Sequence, residues 1–276
     1  MAITAAEVNK LRQMTGAGMM DCKQALTEAN GDFDTAIDIL RKKGQKVAAK
    51  RADREANEGY VVAKTNAQGT AGVLVCVNCE TDFVAKNADF TAMAEKVAEI
   101  ALEKGANSVD ALKAMAYDSN GLSIAEKLVE QTGVIGEKID LSACEALKAD
   151  HVYAYNHPGN KVASLVGLSK TGFETVAKDV AMQVAAMAPI ALNKESTPQS
   201  VIDKEIEIGK ELAIQEGKPA DMAEKIALGR LNKFFKESTL LAQEFIKDGK
   251  LTVEQYVKAA DKDLTVIGFK RHSLTI

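Results

Sequence analysis

One pattern of residues occurs twice in this chain, roughly 90 residues apart, and any fold has to accommodate both copies. In the first, two apolar, β-rich runs within "EGYVVAKTNAQGTAGVLVCVN" flank an "NAQGT" turn and lead to Thr81-Asp82-Phe83. In the second, "HVYAYN", the turn "HPGN" and "KVASLVGLS" lead to Thr171-Gly172-Phe173. A Val-Ala-Lys tripeptide follows each Phe, at Val84 to Lys86 and Val176 to Lys178. Apolar runs split by Asn, Gly and Pro read as β-hairpins. The apolar periodicity of Asn87 to Glu103, and of Glu174 to the boundary at Pro189, reads as helix. The repeat therefore predicts two related hairpin-plus-helix subdomains.

The segments around the repeat are helical in pattern. Thr4 and Glu7 form a capping box ahead of Val8, Leu11 and Met14, which share one helical face, with Gly16 as the stop. "MMDCKQALTEAN" runs to Gly31, and "DFDTAIDILRKK" runs from an Asp cap to Gly44, completing a three-helix module. Between residues 41 and 54 lie seven basic residues against Asp53 alone, a solvated basic helix or linker. Two short helices are predicted before Lys138. From Thr197 to Phe235 the chain reads as two long antiparallel helices broken at Gly217-Lys218-Pro219, and the tail "DLTVIGFKRHSLTI" as a late strand of the second sheet.

Composition removes several classes of function. With 46% hydrophobic and 27% charged residues the chain folds in water, and no run approaches the roughly 18 apolar residues of a membrane span. The N-terminus lacks the basic-then-apolar order of a signal peptide, so a cytoplasmic protein is expected. A net charge of -4 argues against a surface built to hold nucleic acid phosphates. The basic run lacks aromatics for base stacking, and RNA binding through it stands as an alternative reading.

Candidate chemistry is sparse. Cys76-x-x-Cys79 has the spacing of a redox dithiol or half a zinc site, but Cys22 and Cys144 are isolated and no Cys or His pair supplies further ligands. Buried thiols are the better account, with a thiol oxidoreductase as a further alternative. Gly16-x-Gly18 follows a helix rather than a strand, the phosphate-binding Gly-x-x-x-x-Gly-Lys pattern is absent, and three histidines accompany no hydrolase motif. No covalent chemistry, cofactor or metal is expected. That leaves "NCETDFVAKN", Asn78 to Asn87, where Thr81 and Asp82 suit a helix start between strand and helix. Between strand and helix they place Phe83 either at an exposed corner or, the reading that residue physics alone favours, in the core with Asp82 as a cap.

"LRQMTGAGMMDCKQAL" (Leu11 to Leu26) together with "NCETDFVAKN" resembles the two signature regions of the bacterial elongation factor Ts family. The resemblance continues through "VIGEKI" (Val134 to Ile139), "GKPADMAEKIALGRLNKF" (Gly217 to Phe234) and "GFKR" (Gly268 to Arg271). It implies an α+β fold: a ubiquitin-associated-like three-helix domain with basic linker at 1–55, and a first α+β subdomain at 56–140. The second subdomain, at 141–276, would carry an inserted helical dimerisation hairpin at 190–236. It implies guanine nucleotide exchange on elongation factor Tu, with Thr81, Asp82, Phe83 and Val84 disturbing the partner's magnesium site. Arg12, Met19, Met20 and His157 would be secondary contacts, and a homodimer or dimer of heterodimers would form through the hairpin. Family members commonly continue into an acidic C-terminal helix, which is not expected in a chain ending "HSLTI".

Overall fold

The computed structural model describes residues 3–119 and 121–274. Three helices come first: α1 (Ala5–Thr15), α2 (Met19–Glu28) and α3 (Phe33–Lys50). The Thr4–Glu7 capping box opens α1, Gly16 closes it in the left-handed conformation, and the Asp32 side chain caps α3. Val8, Leu11, Cys22, Ala25, Leu26 and Ala36 make a small core of their own. Met14, expected on the same face as Val8 and Leu11, is exposed instead, because it sits in the last turn beyond that core.

Helix α3 does not stop at Gly44. It continues to Lys50, and Gly44 is buried within it. A Cβ on Gly133 would fall 2.4 Å from the Gly44 Cα, so the two glycines allow a close helix crossing rather than a chain break. The basic run is thereby helix for most of its length.

Strands β1 (Glu58–Thr65) and β2 (Ala71–Cys79) form the first hairpin, followed by the one-turn helix α4 (Asp82–Ala85), α5 (Ala88–Lys104), α6 (Val109–Lys113) and α7 (Ile124–Ile135). Strand β3 (Asp140–Lys148) pairs antiparallel with β2 and completes a sheet of order β1-β2-β3. The sequence division had assigned residues after 140 to the second subdomain. Their short, mixed pattern becomes a strand because β2 offers an open edge.

Strands β4 (His151–Asn156) and β5 (Val162–Leu168) form the second hairpin, and α8 (Glu174–Met187) covers it. The antiparallel helices α9 (Gln199–Gln215) and α10 (Ala220–Ser238) follow, their base tied by Ile190 N–H to Ser238 O and Leu240 N–H to Ala191 O, both 2.9 Å. The small ribbon β6 (Glu244–Phe245) and β7 (Asp248–Thr252), then α11 (Val253–Ala260), lead to β8 (Val266–Ser273), which gives a second sheet of order β4-β5-β8. Thr275 and Ile276 of the expected tail strand lie outside the described residues.

The two sheets pack face to face through Val61, Ala63, Leu74, Cys76, Ala143, Val152, Ala163 and Leu165. The alternate residues Val62, Val73, Val75 and Val77 face α5 instead. Strand β2 is therefore buried on both faces, which explains its unbroken apolar run. The free edge of β1 is closed by the β4–β5 turn: Asn156 bonds the Ala63 N–H and C=O at 2.8 and 3.0 Å, and Asn160 O accepts from Val61 N–H at 2.7 Å.

Candidate functional site

Where β2 ends, the chain turns outward through Glu80 and Thr81 into α4. Thr81 caps that turn, its Oγ1 accepting from Val84 N–H at 3.4 Å. Glu137, in the loop after α7, accepts three hydrogen bonds from the same corner: Glu80 N–H at 3.2 Å, Thr81 N–H at 3.0 Å and Thr81 Oγ1 at 2.7 Å. Glu80 reaches the other way, accepting from Lys138 N–H at 2.6 Å and from the Arg51 guanidinium at 2.7 Å. The Lys138 backbone bond, with Arg51 beside it, holds the Glu80 carboxyl below its ordinary range.

Within α4 the four residues divide by environment. Ala85 is buried and Val84 half-buried against the α5-side core, while Asp82 pairs with Lys86 at 2.6 Å. That lysine, the largest influence, keeps the Asp82 carboxyl ionised to lower pH than usual, and Lys161 adds to the effect. Phe83 is 83% exposed. The reading of Phe83 as a buried corner is overturned, because a single helical turn with Val84 and Ala85 inward leaves position 83 outward.

Phe83 borders an open groove of about 740 Å³ whose other walls include Met14, Gly16, Tyr117 and Val134. Lys96 Nζ lies 4.1 Å and Lys127 Nζ 5.5 Å from the Tyr117 ring centre on that wall. The end of α1 and the Phe83 corner thus share one groove, a proximity that no local pattern announces. Arg12, Met19 and Met20 are exposed on α1 and α2 but do not line it, Met20 being 74% exposed. His157 is exposed in the β4–β5 turn, its Nδ1 3.0 Å from the Tyr155 hydroxyl. Lys161, in the same turn, pairs with Glu58 at 2.9 Å.

Sequence reasoning missed Met14, Glu80 and Glu137. Glu137 was within the "VIGEKI" segment, but nothing local tied it to a corner 56 residues earlier.

The alternative chemistries fare differently. Cys76 faces the core between the sheets and Cys79 the core beneath α5, so strand alternation puts their side chains on opposite faces of β2. Burial pushes the Cys76 thiol up to about 11 and the Cys79 thiol up to about 12, opposite to the lowered pKa of a reactive dithiol. Among the described residues, no group of three His, Cys, Asp or Glu side chains is placed to hold a metal ion. In the basic run, Lys43 is paired with Asp21 at 2.6 Å and Arg51 with Glu80. No helix among the described residues is long and apolar enough to cross a membrane.

Known proteins resemble this chain over nearly its whole length. The family model described as elongation factor Ts matches residues 80–275. The chain is 57% identical to elongation factor Ts of Christiangramia forsetii over 99% of its own length and 98% of that protein's. It is 53% identical to elongation factor Ts of Flavobacterium psychrophilum, with the same coverage. To elongation factor Ts of Porphyromonas gingivalis it is 46% identical, over 99% of both chains. The chain belongs to the elongation factor Ts family, the guanine nucleotide exchange factors of translation elongation.

Proposed function

We propose that Thr81, Asp82, Phe83 and Val84 are the part of this chain that drives GDP release from elongation factor Tu. The observation that carries this reading is the exposure of a full aromatic ring on a turn whose backbone is held by Glu137. An exposed Phe has unfavourable contact with water, and covering it on a partner recovers about 1.5–3 kcal/mol, the size of an interface hot spot. GDP and its magnesium are held in the partner by a phosphate-binding loop and hard oxygen ligands whose geometry is exacting. A ring wedged beside that loop weakens the nucleotide without touching it. By linkage, GDP weakens the factor's binding by the same ratio.

Exchange of this kind requires no bond to be made or broken by the factor, so the chain acts by binding alone, in the cytoplasm where translation runs. Arg12, Met19 and Met20 serve as a second contact and His157 as a third, at separate points along the molecule. Helices α9 and α10 carry exposed Ile208, Leu212, Ile214, Met222 and Leu228, which supports self-association through this hairpin as a homodimer or dimer of heterodimers. Replacing residues 197–234 by a short Gly-rich link is expected to give a monomer that still stimulates exchange. Sedimentation showing the intact protein monomeric, alone and with its partner, contradicts the hairpin's role.

The test of the function itself is release of fluorescent GDP from purified elongation factor Tu. Catalytic amounts of this protein are expected to accelerate it, and an unchanged release rate at stoichiometric amounts overturns the proposal.

A further inference from the structure

The Phe83 corner is held by a clasp of two carboxylates that cross one another. Glu137, from the loop after α7, takes the two backbone N–H groups of Glu80 and Thr81 on one oxygen and the Thr81 hydroxyl on the other. Glu80, from the corner, takes the backbone N–H of Lys138 in return. The clasp also reaches the N-terminal module: Arg51 pairs with Glu80, and Lys138 Nζ donates to the carbonyls of Ala52 and Arg54 at 2.8 and 3.0 Å. Three segments distant in sequence, 51–54, 80–81 and 137–138, are therefore fixed to one another at the foot of α4.

Helix α4 has four residues, and a single turn of helix has little stability of its own. Besides the inward packing of Val84 and Ala85, the corner is held by ties from outside to its preceding N–H groups and its cap hydroxyl. We infer that Glu137 is a positioning residue for nucleotide exchange, which keeps Phe83 presented in the one orientation that the GTPase accepts. This inference rests on the assignment of Phe83 as the wedge.

A positioning role has a kinetic signature distinct from that of the wedge. Where only a fraction of molecules presents the corner correctly, apparent affinity falls by that fraction, while saturating partner selects the competent form and restores the maximal rate. Glu137→Ala is therefore expected to raise, about tenfold, the concentration of factor that half-saturates GDP release, with the maximal rate within about twofold of wild type. Glu137→Gln is isosteric. Its amide oxygen can keep both backbone bonds and its NH2 can donate to Thr81 Oγ1, so it is expected to recover near wild-type half-saturation. Glu137→Asp keeps the charge but is one methylene short, and is expected to fall between Ala and Gln.

The assay is stopped-flow release of fluorescent GDP from elongation factor Tu across a range of factor concentrations, using full-length protein at a temperature where circular dichroism shows every variant folded. Amide hydrogen exchange of wild-type Glu80 and Thr81 supplies a second measurement that needs no variant, and slow exchange at both is expected. Wild-type half-saturation for a folded Glu137→Ala, an Asp variant better than Gln, or unprotected amides at Glu80 and Thr81 each overturns the inference. Failure of the underlying assignment looks different: Phe83→Ala would then leave the maximal rate unchanged, whatever the Glu137 variants do.

Discussion

Two corners occupy the same place in the internal repeat and are built to opposite ends. At the first, β2 passes through Thr81 into a one-turn helix, and Phe83 stands in solvent. At the second, β5 passes through Thr171 and Gly172, the latter at φ 85°, directly into α8, and Phe173 is itself the residue before that helix. Phe173 is partly buried against the core between α8 and the second sheet. The difference lies in the extra turn and its cap. Thr81 has an accepting role toward Val84 and a donating role toward Glu137, while no side chain caps α8. The repeated pattern thus packs its Phe against the core in one copy and turns it outward in the other.

The comparison breaks most visibly in stability. Phe173→Ala removes a partly buried ring and is expected to cost about 2 kcal/mol, less than the 3–5 kcal/mol typical of a fully buried Phe. For a chain of this size that lowers the melting temperature by about 4–8 °C. Phe83→Ala is expected to shift it by no more than about 2 °C, as surface substitutions do. Calorimetry on both variants reads the contrast directly, and equal losses would place the two rings in equivalent environments.

The strand that feeds the first corner offers a smaller effect. Replacing Cys76 and Cys79 together by Ala leaves small voids on both faces of β2 and is expected to cost about 1–3 kcal/mol while exchange activity is retained. In the folded wild-type protein, alkylation of these thiols at pH 8 is expected to be far slower than in urea, since burial holds them at about 11 and about 12. Rapid native labelling would contradict their place in the two cores.

The smallest effect is one of pH. Glu80 has a lowered carboxyl pKa in the folded state, so its bonds to Lys138 and Arg51 contribute stability that is fully present above the ordinary Glu value and lost as pH falls through the folded one. Glu80→Gln is expected to melt below wild type at neutral pH, with the gap closing as pH falls below the ordinary Glu range. A gap that widens on acidification reverses the assigned sign.

These contrasts also mark what was readable from residues alone. The Thr4–Glu7 box, the left-handed Gly16 and both hairpins follow from local chemistry and were legible. Gly44 was misread as a stop because its purpose, contact with Gly133, lies in another helix. Strand β3 was hidden because Ser142, Glu145 and Lys148 dilute its apolar pattern, and only the edge of β2 makes it a strand. At the site, Thr81 and Asp82 were legible as a helix start. The outward Phe83 was not, since a Phe between strand and helix is ordinarily buried, and its orientation depends on where a single turn happens to point. Glu137 and Met14 reach the corner only through the tertiary fold.

The most direct test of the account is the maximal rate of GDP release from elongation factor Tu with saturating Phe83→Ala, set beside Phe173→Ala at equal folded concentration. Loss of one hot-spot anchor is worth about 2 kcal/mol, so Phe83→Ala is expected to slow release about thirtyfold while still forming the complex, and Phe173→Ala to act within about twofold of wild type. Equal rates for the two variants, or a Phe83→Ala protein as fast as wild type, would contradict the claim that the first corner is the wedge.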